Sequence, residues 1–181
     1  PFHMEERLLP LRTLTRYRYH LIGELVRVKS YTLSLVYLQA SEYTVDPAFA
    51  DIFGRTSQAV LKEFPSLEAI AAMPFDDLVE WLDVQGKRRF AQPEDNARRL
   101  QRMAQESYRL PDEWLASVNT ALSLSLRHLT SLQQLLARTD TAIADEMVHF
   151  PNSLTTIPGI GPVMAAGIIA EIGDLARFDF N

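Results

Sequence analysis

The sequence predicts an all-α fold, with two long coiled-coil-type helices flanking a small helical insertion and a helix-hairpin-helix at the end. Three observations carry that prediction. Apolar residues recur in alternating steps of three and four through two long stretches, the rhythm of a helical seam. Prolines fall at the edges of those stretches and not deep inside them, as a helix interior requires. No segment alternates with period two far enough to make a strand, and the best of them, residues 31–38, fits the first long helix better.

The first element, residues 1–41, is expected to be one long linker helix starting between Met4 and Leu11. Leu11, Leu14, Arg18, Leu21, Leu25, Val28, Thr32 and Leu35 form its seam. Pro10 is compatible with a first helical turn. Arg18, polar on an otherwise apolar line, is a residue of the kind that sets register or partner. Residues 42–110 read as an insertion of short helices with a basic segment. Asp46-Pro47 opens one helix and Phe53-Gly54 closes it; Thr56 and Ser66 are plausible N-caps, and Pro74 begins a segment ending at Trp81-Leu82. Leu67, Ile70, Ala71, Leu78, Val79 and Trp81 supply a small satellite core. Gly86-Lys87-Arg88-Arg89 is a loop, and Pro93-Glu94-Asp95 starts a helix carrying Arg98, Arg99 and Arg102.

The second long helix is expected over residues 111–150, opened by Pro111-Asp112-Glu113 and stopped by Pro151. Leu115, Val118, Leu122, Ser125, Leu129, Leu132, Leu136, Thr139 and Ile143 repeat the three-four rhythm. A helix of about 35 residues is about 50 Å long. Two such rods satisfy their seams by pairing within one chain or across a homodimer, and the seams themselves do not choose.

Composition narrows the function. The net charge of −5 is unevenly spread. Residues 1–30 carry six basic against three acidic groups, and residues 85–109 seven against three. Such segregation can place a basic stripe on an acidic molecule. Arginine outnumbers lysine, which suits bidentate phosphate contacts and also a GC-rich genome. Cysteine is absent, excluding disulfides and thiolate metal sites. No apolar run approaches the ~18 residues of a membrane span, and no signal-peptide pattern opens the chain, so a cytoplasmic location is expected. His3, His20, His128 and His149 lack ligand spacing. Glu171, Asp174 and Asp179 read as solvated carboxylates at a helix end, and Asp76-Asp77 as acids complementing a helix dipole. Tyr17, Tyr19 and Tyr31 lack the Arg and His partners a phosphoryl-transfer nucleophile needs. No catalytic residue, metal site or cofactor is assigned to this chain.

Residues 151–181 hold the motif that carries chemistry. Ile157-Pro158-Gly159-Ile160-Gly161-Pro162-Val163-Met164 reads as a short helix ending in a tight turn, followed by a second helix from Pro162 to Ile172. Gly159 and Gly161 permit the turn and a close backbone approach. The following helix offers free N–H groups and the positive end of its dipole, which together bind a phosphate oxygen. Ile160 is expected to point inward. Ala165, Ala166 and Ile169 are expected to pack on the preceding helix. This resembles the helix-hairpin-helix, a sequence-tolerant DNA-backbone-binding module.

The context resembles one family more specifically. Thr156-Ile157-Pro158-Gly159-Ile160-Gly161-Pro162, Ala165-Ala166, Ala170-Glu171-Ile172-Gly173-Asp174 and Arg177-Phe178 are similar to the opening block of the C-terminal domain of IS110 family insertion-sequence transposases. Upstream, residues 11–18 resemble the linker helix after that family's first domain. Residues 49–54, Thr56-Ser57, Leu61 and Phe64-Pro65 fit the insertion that follows. The resemblance implies a DNA recombinase guided by a structured bridge RNA, with subunits joined through the coiled coil. It also implies an N-terminal RuvC-like domain holding divalent metal on four acidic residues, and a nucleophilic serine late in the C-terminal domain. Neither falls in this chain, which is therefore expected to be an excised, non-catalytic fragment acting in dimerisation and nucleic-acid contact.

The expected nucleic-acid-binding residues are Pro158, Gly159, Ile160, Gly161, Val163 and Met164 in the hairpin. Arg88, Arg89, Arg98, Arg99 and Arg102 join them from the basic segment, and Arg12, Arg16 and Lys29 from the first helix are weaker candidates. Solvated faces paired with nearby acids explain the arginines about as well. Two other identities stay open: a free-standing helix-hairpin-helix accessory protein of DNA repair, and a structural coiled-coil module whose hairpin packs on protein.

Overall fold

The computed structural model describes residues 6–64 and 66–173. Among them it is all-helical, without a strand. Seven α-helices follow in order: α1 (Leu9–Gln39), α2 (Arg55–Glu63), α3 (Leu67–Ala72), α4 (Phe75–Gln85), α5 (Pro93–Glu106), α6 (Asp112–Met147) and α7 (Pro162–Ile172). The expected rods are α1 and α6, of 31 and 36 residues. Pro10 is the second residue of α1, after a 3-10 turn at Glu6–Leu8, where its missing N–H costs nothing. The chain divides into two compact units, Pro1–Val26 with Thr130–Asn181, and Arg27–Leu129. Each long helix supplies a segment to both.

In the first unit the start of α1, the end of α6 and α7 share a core. Leu11, Ile143, Ala166 and Ala170 are buried together, flanked by Leu14, Met147, Phe150 and Ile169. The seam choice left open by the sequence is resolved here within one chain: Leu11 and Leu21 of α1 and Leu132, Leu136, Thr139 and Ile143 of α6 are buried. Arg18 sits on that seam with Asp140, its Nε donating to Oδ1 at 2.5 Å and Nη2 to Oδ2 at 3.4 Å. A seam arginine with a fixed acidic partner disfavours every register that separates them, because an unpaired half-buried charge is costly. Thr139 donates back to the Leu135 carbonyl, which lets a hydroxyl sit in an apolar line. The Arg7 guanidinium donates to the His149 carbonyl at 2.7 Å and lies over the Phe150 ring.

The second unit pairs the rest of both rods and carries the insertion. Thr32, Leu35 and Val36 of α1 and Leu122, Ser125, Leu126 and Leu129 of α6 are buried, and Gln39 donates to Asn119 at 2.9 Å. Helix α5 buries Ala97, Leu100, Met103 and Ala104 and packs on α3 and α4. Leu67, Ile70, Leu78 and Leu82 complete the satellite core, while Trp81 meets Phe64 edge-on. Ala71 is exposed and Val79 half-buried, so the expected core is corrected there in favour of Leu82. The Tyr43 hydroxyl is buried 2.7 Å from the Ser57 hydroxyl, and burial pushes its phenol well above the ordinary tyrosine range.

Two expectations about the insertion fail for local reasons. No helix forms after Asp46-Pro47; residues 47–54 are bends and turns. Asp51 accepts from the Phe53 N–H at 2.9 Å and, through its carbonyl, from Gly54 at 3.0 Å, an Asx-type alternative to helical bonding. The Ala48 carbonyl meanwhile takes the Asn96 amide. The N-cap of α2 is Gly54, one turn-residue before the expected Thr56. Ser66 does cap α3, accepting from the Ala69 N–H.

Candidate nucleic-acid interface

The hairpin is built by a proline-glycine turn. Ile157, Pro158, Gly159 and Ile160 close through Ile160 N–H donating to the Ile157 carbonyl at 3.1 Å. Gly159 has φ +89, the left-handed value that a type II turn demands at its third residue after a proline. The arm before the turn corrects the expectation: it is a single 3-10 turn, Leu154–Thr156, and not a helix. Asn152 replaces helical bonding there, accepting from the Leu154 N–H and donating to the Phe150 carbonyl. With no preceding helix to receive it, the small-residue face of α7 goes elsewhere. Ala166 and Ala170 pack on Leu11 and Ile143, so the close contact that alanines allow is made with the two rods.

This packing leaves the turn outward. Pro158, Gly159, Gly161 and Pro162 are exposed, Ile160 and Val163 half-buried, and Met164 exposed. Ile160 thus closes the turn by its backbone while its side chain stays partly in solvent. Gly161 is the N-cap of α7, with φ −81 and ψ 169. That is extended backbone open to any residue. A Cβ built on Gly161 meets nothing within 4 Å. Gly161 has no side chain that could cap the helix, so the first N–H groups of α7 face the open side of the turn. Pro162 at the first helical position lacks an N–H, leaving the next donors as the anion-facing set.

At the other end of α7, α1 supplies cations. The Arg12 guanidinium, 13 % exposed, donates from Nε to the Ala170 carbonyl at 2.7 Å and from Nη2 to the Glu171 carbonyl at 3.5 Å. It thereby satisfies carbonyls that a helix C-terminus leaves orphaned. Arg16, one turn on and 66 % exposed, holds the Glu171 carboxylate in a fork, Nε to Oε1 at 2.8 Å and Nη2 to Oε2 at 3.0 Å. The hydrogen bond from Arg16 holds the Glu171 carboxyl below the usual carboxylate range. Gly173, φ +72, ends the helix. Asp174, Arg177, Phe178 and Asp179 lie outside the described residues.

The basic segment lies in the other unit. Helix α4 ends at Gly86, where an added Cβ would stand 2.3 Å from the Phe90 ring. The 6→1 bond of the helix end runs from Arg88 N–H to the Asp83 carbonyl at 2.8 Å, which makes Lys87 the residue that must turn left-handed. Glycine would normally stand there, but Gly86 is held one place earlier by the Phe90 ring. Lys87 and Arg88 therefore both adopt φ 54, at a cost of about 1–2 kcal/mol each for residues with a Cβ. The result is a fixed turn with Lys87, Arg88 and Arg89 exposed.

The remaining arginines of this segment are matched by acids. Arg98 pairs with Asp95 at 2.6 Å and lies over Phe75. Arg99 and Arg102 share Asp46, at 3.1 and 3.8 Å, while Arg88 reaches Asp83 only at 3.9 Å. Lys87 and Arg89 have no side-chain partner among the described residues. Lys29 is spent on the Phe53 ring, 5.2 Å away. Structure thus separates two kinds of cation that the sequence ran together: those of α5, neutralised one by one, and those of the 86–89 turn, free. The signal was faint in advance, since Asp46 lies some fifty positions from the arginines it serves.

Among the described residues no group of three His, Cys, Asp or Glu is placed to hold a metal ion. None of the helices there is long and apolar enough to cross a membrane. Residues 152–180 match the family model described as Transposase IS116/IS110/IS902 family. No curated protein and no solved structure gives a match. The matched stretch begins just before the Leu154–Thr156 turn and takes in the hairpin and all of α7.

Proposed function

We propose, from the premise that residues 152–180 carry the sequence of the IS116/IS110/IS902 transposase family, that this chain is a non-catalytic part of a DNA transposase contacting nucleic acid during transposition. The observation that carries the reading is the open N-terminus of α7. Its cap residue is a glycine whose missing side chain no part of the chain fills, at the point where helix dipole and free N–H groups favour a phosphate oxygen. Lys87, Arg88 and Arg89 provide a second sequence-independent contact, since exposed cations in a fixed turn lose little entropy on meeting a phosphate. Both sites read backbone and not base edges, so target choice is left to other elements, for which the family resemblance supplies a guide RNA.

Pairing of chains belongs to the same proposal. The seams of α1 and α6 are buried within each unit, so a homodimer uses other faces of the rods, where Tyr17, Tyr31, Leu124 and Leu135 stay exposed. The divalent metal and the serine chemistry of the family are expected outside this chain and no step here depends on them.

Salt-dependent binding tests the reading. Duplex DNA and a structured RNA are titrated with the chain across a salt series. Binding whose log K falls linearly with log salt is expected, with a slope of about −0.9 per duplex phosphate engaged. Substituting Lys87 and Arg89 together to Gln is expected to reduce that slope by about two contacts. No detectable binding at low salt contradicts the proposal. A structural module docking on protein is the second reading, favoured by the acid-matched arginines of α5, and such a result would support it. Light scattering of the same samples counts the chains.

A further inference from the structure

Arg12 and Arg16 both reach the end of α7, yet they do different work. Arg12 is nearly buried and takes the backbone carbonyls of Ala170 and Glu171. With the core contacts of Ala166 and Ala170, it holds α7 in place without help from Arg16. Arg16 is two-thirds exposed and contacts the side chain of Glu171. An ion pair this exposed contributes little to folding. Its geometry is nevertheless the specific one: two parallel N–H donors on two oxygens of one carboxylate, the same fork with which a guanidinium takes two oxygens of a phosphate. Glu171, at 49 % side-chain exposure, blocks that fork with a group a phosphate can replace. Thr15, Arg16, Tyr19, Gly167 and Glu171 line an open groove of about 350 Å³, so a ligand reaches the pair from solvent.

We infer that Glu171 is an internal stand-in for phosphate, an autoinhibitory carboxylate that occupies the Arg16 fork until a nucleic-acid backbone displaces it. The inference rests on the nucleic-acid reading above and adds to it a site on α1, at the opposite end of α7 from the glycine turn. Exchange leaves the fold unchanged, because Arg12 keeps the helix end, and it transfers one arginine from an acid to a phosphate.

The test compares the wild-type chain, E171Q and the double variant E171Q/R16Q in binding a duplex DNA oligonucleotide over a salt series, with thermal melting recorded for each. E171Q is expected to melt with the wild type and to bind more tightly at low salt. Its log K against log salt is expected to be steeper by about 0.9, one added phosphate contact. Replacing Arg16 as well is expected to abolish both gains. An unchanged slope in E171Q overturns the inference, as does a gain that persists in the double variant, which would report only the lost negative charge. Binding by the wild type with no response to E171Q removes the internal stand-in and leaves the nucleic-acid reading standing. Silence from all three chains removes that reading itself. Should E171Q melt early, R16K in the wild-type background decides: it keeps the charge and loses the fork, and unchanged binding would count against the site.

Discussion

Two glycine-bearing turns, one in each unit, look alike in sequence and differ in what fills the space their missing side chains leave. At Gly86 the chain fills it: the Phe90 ring would lie 2.3 Å from an added Cβ. That packing displaces the left-handed strain onto Lys87 and Arg88. At Gly161 nothing fills it, and the backbone there is ordinary extended chain. Gly159, two residues earlier, is a third case, with open space but a φ of +89 that only glycine takes easily. A glycine required by packing or by its dihedral is explained by the fold. Gly161 is explained by neither, and its reason lies with whatever approaches the turn.

The largest expected effect breaks the packing case. Gly86→Ala is expected to cost about 1–3 kcal/mol, the usual range for forcing a methyl into a filled site, read as a lowered denaturant midpoint at unchanged m-value. A neutral result would mean that the Phe90 ring swings aside freely and that Gly86 and Gly161 are not different in kind. Next comes the dihedral case. Gly159→Ala is expected to cost about 1–2 kcal/mol, since the positive φ is unfavourable with a Cβ present, and the loss appears in the same unfolding curve.

A smaller effect concerns the other end of α7. The Glu171 carboxyl is held below its ordinary range by the hydrogen bond from Arg16. A folded-state pKa lowered in this way means that the pair's contribution is fully present above the unfolded carboxylate pKa. It is then lost as pH falls through the folded one. Unfolding curves of E171Q and wild type are therefore expected to converge in acid and to differ slightly, in favour of wild type, near neutrality. The difference stays small because the pair is exposed. A gap that widens in acid would reverse the sign and contradict the assignment.

Much of the fold was legible in the sequence. The three-four rhythm placed both long helices to within a few residues, because a seam of more than thirty residues averages out local noise. Pro93 and Ser66 announced their helices through the chemistry of the first turn. What failed were places where a side chain outbid the backbone. Asp51 turned a predicted helix into bends, and Asn152 reduced the first arm of the hairpin to a 3-10 turn. Short polar side chains act locally and leave no periodic trace. The candidate site was legible in its glycines and prolines and hidden in its partners. The Arg16–Glu171 fork joins residues 155 positions apart. Asp46 neutralises Arg99 and Arg102 across a similar gap in kind. Charge runs show where cations are; only the fold shows which of them are already matched.

The most direct test of the account is Gly161→Ser, with stability and duplex binding measured on the same protein. Serine is a preferred N-cap and the space for it is open, so folding stability is expected to hold or rise slightly. Its hydroxyl would take the N–H groups that a phosphate oxygen needs. Duplex affinity is therefore expected to fall, with a salt slope shallower by about 0.9. Unchanged binding in a stably folded Gly161→Ser chain would contradict the claim that this turn is a contact with nucleic acid.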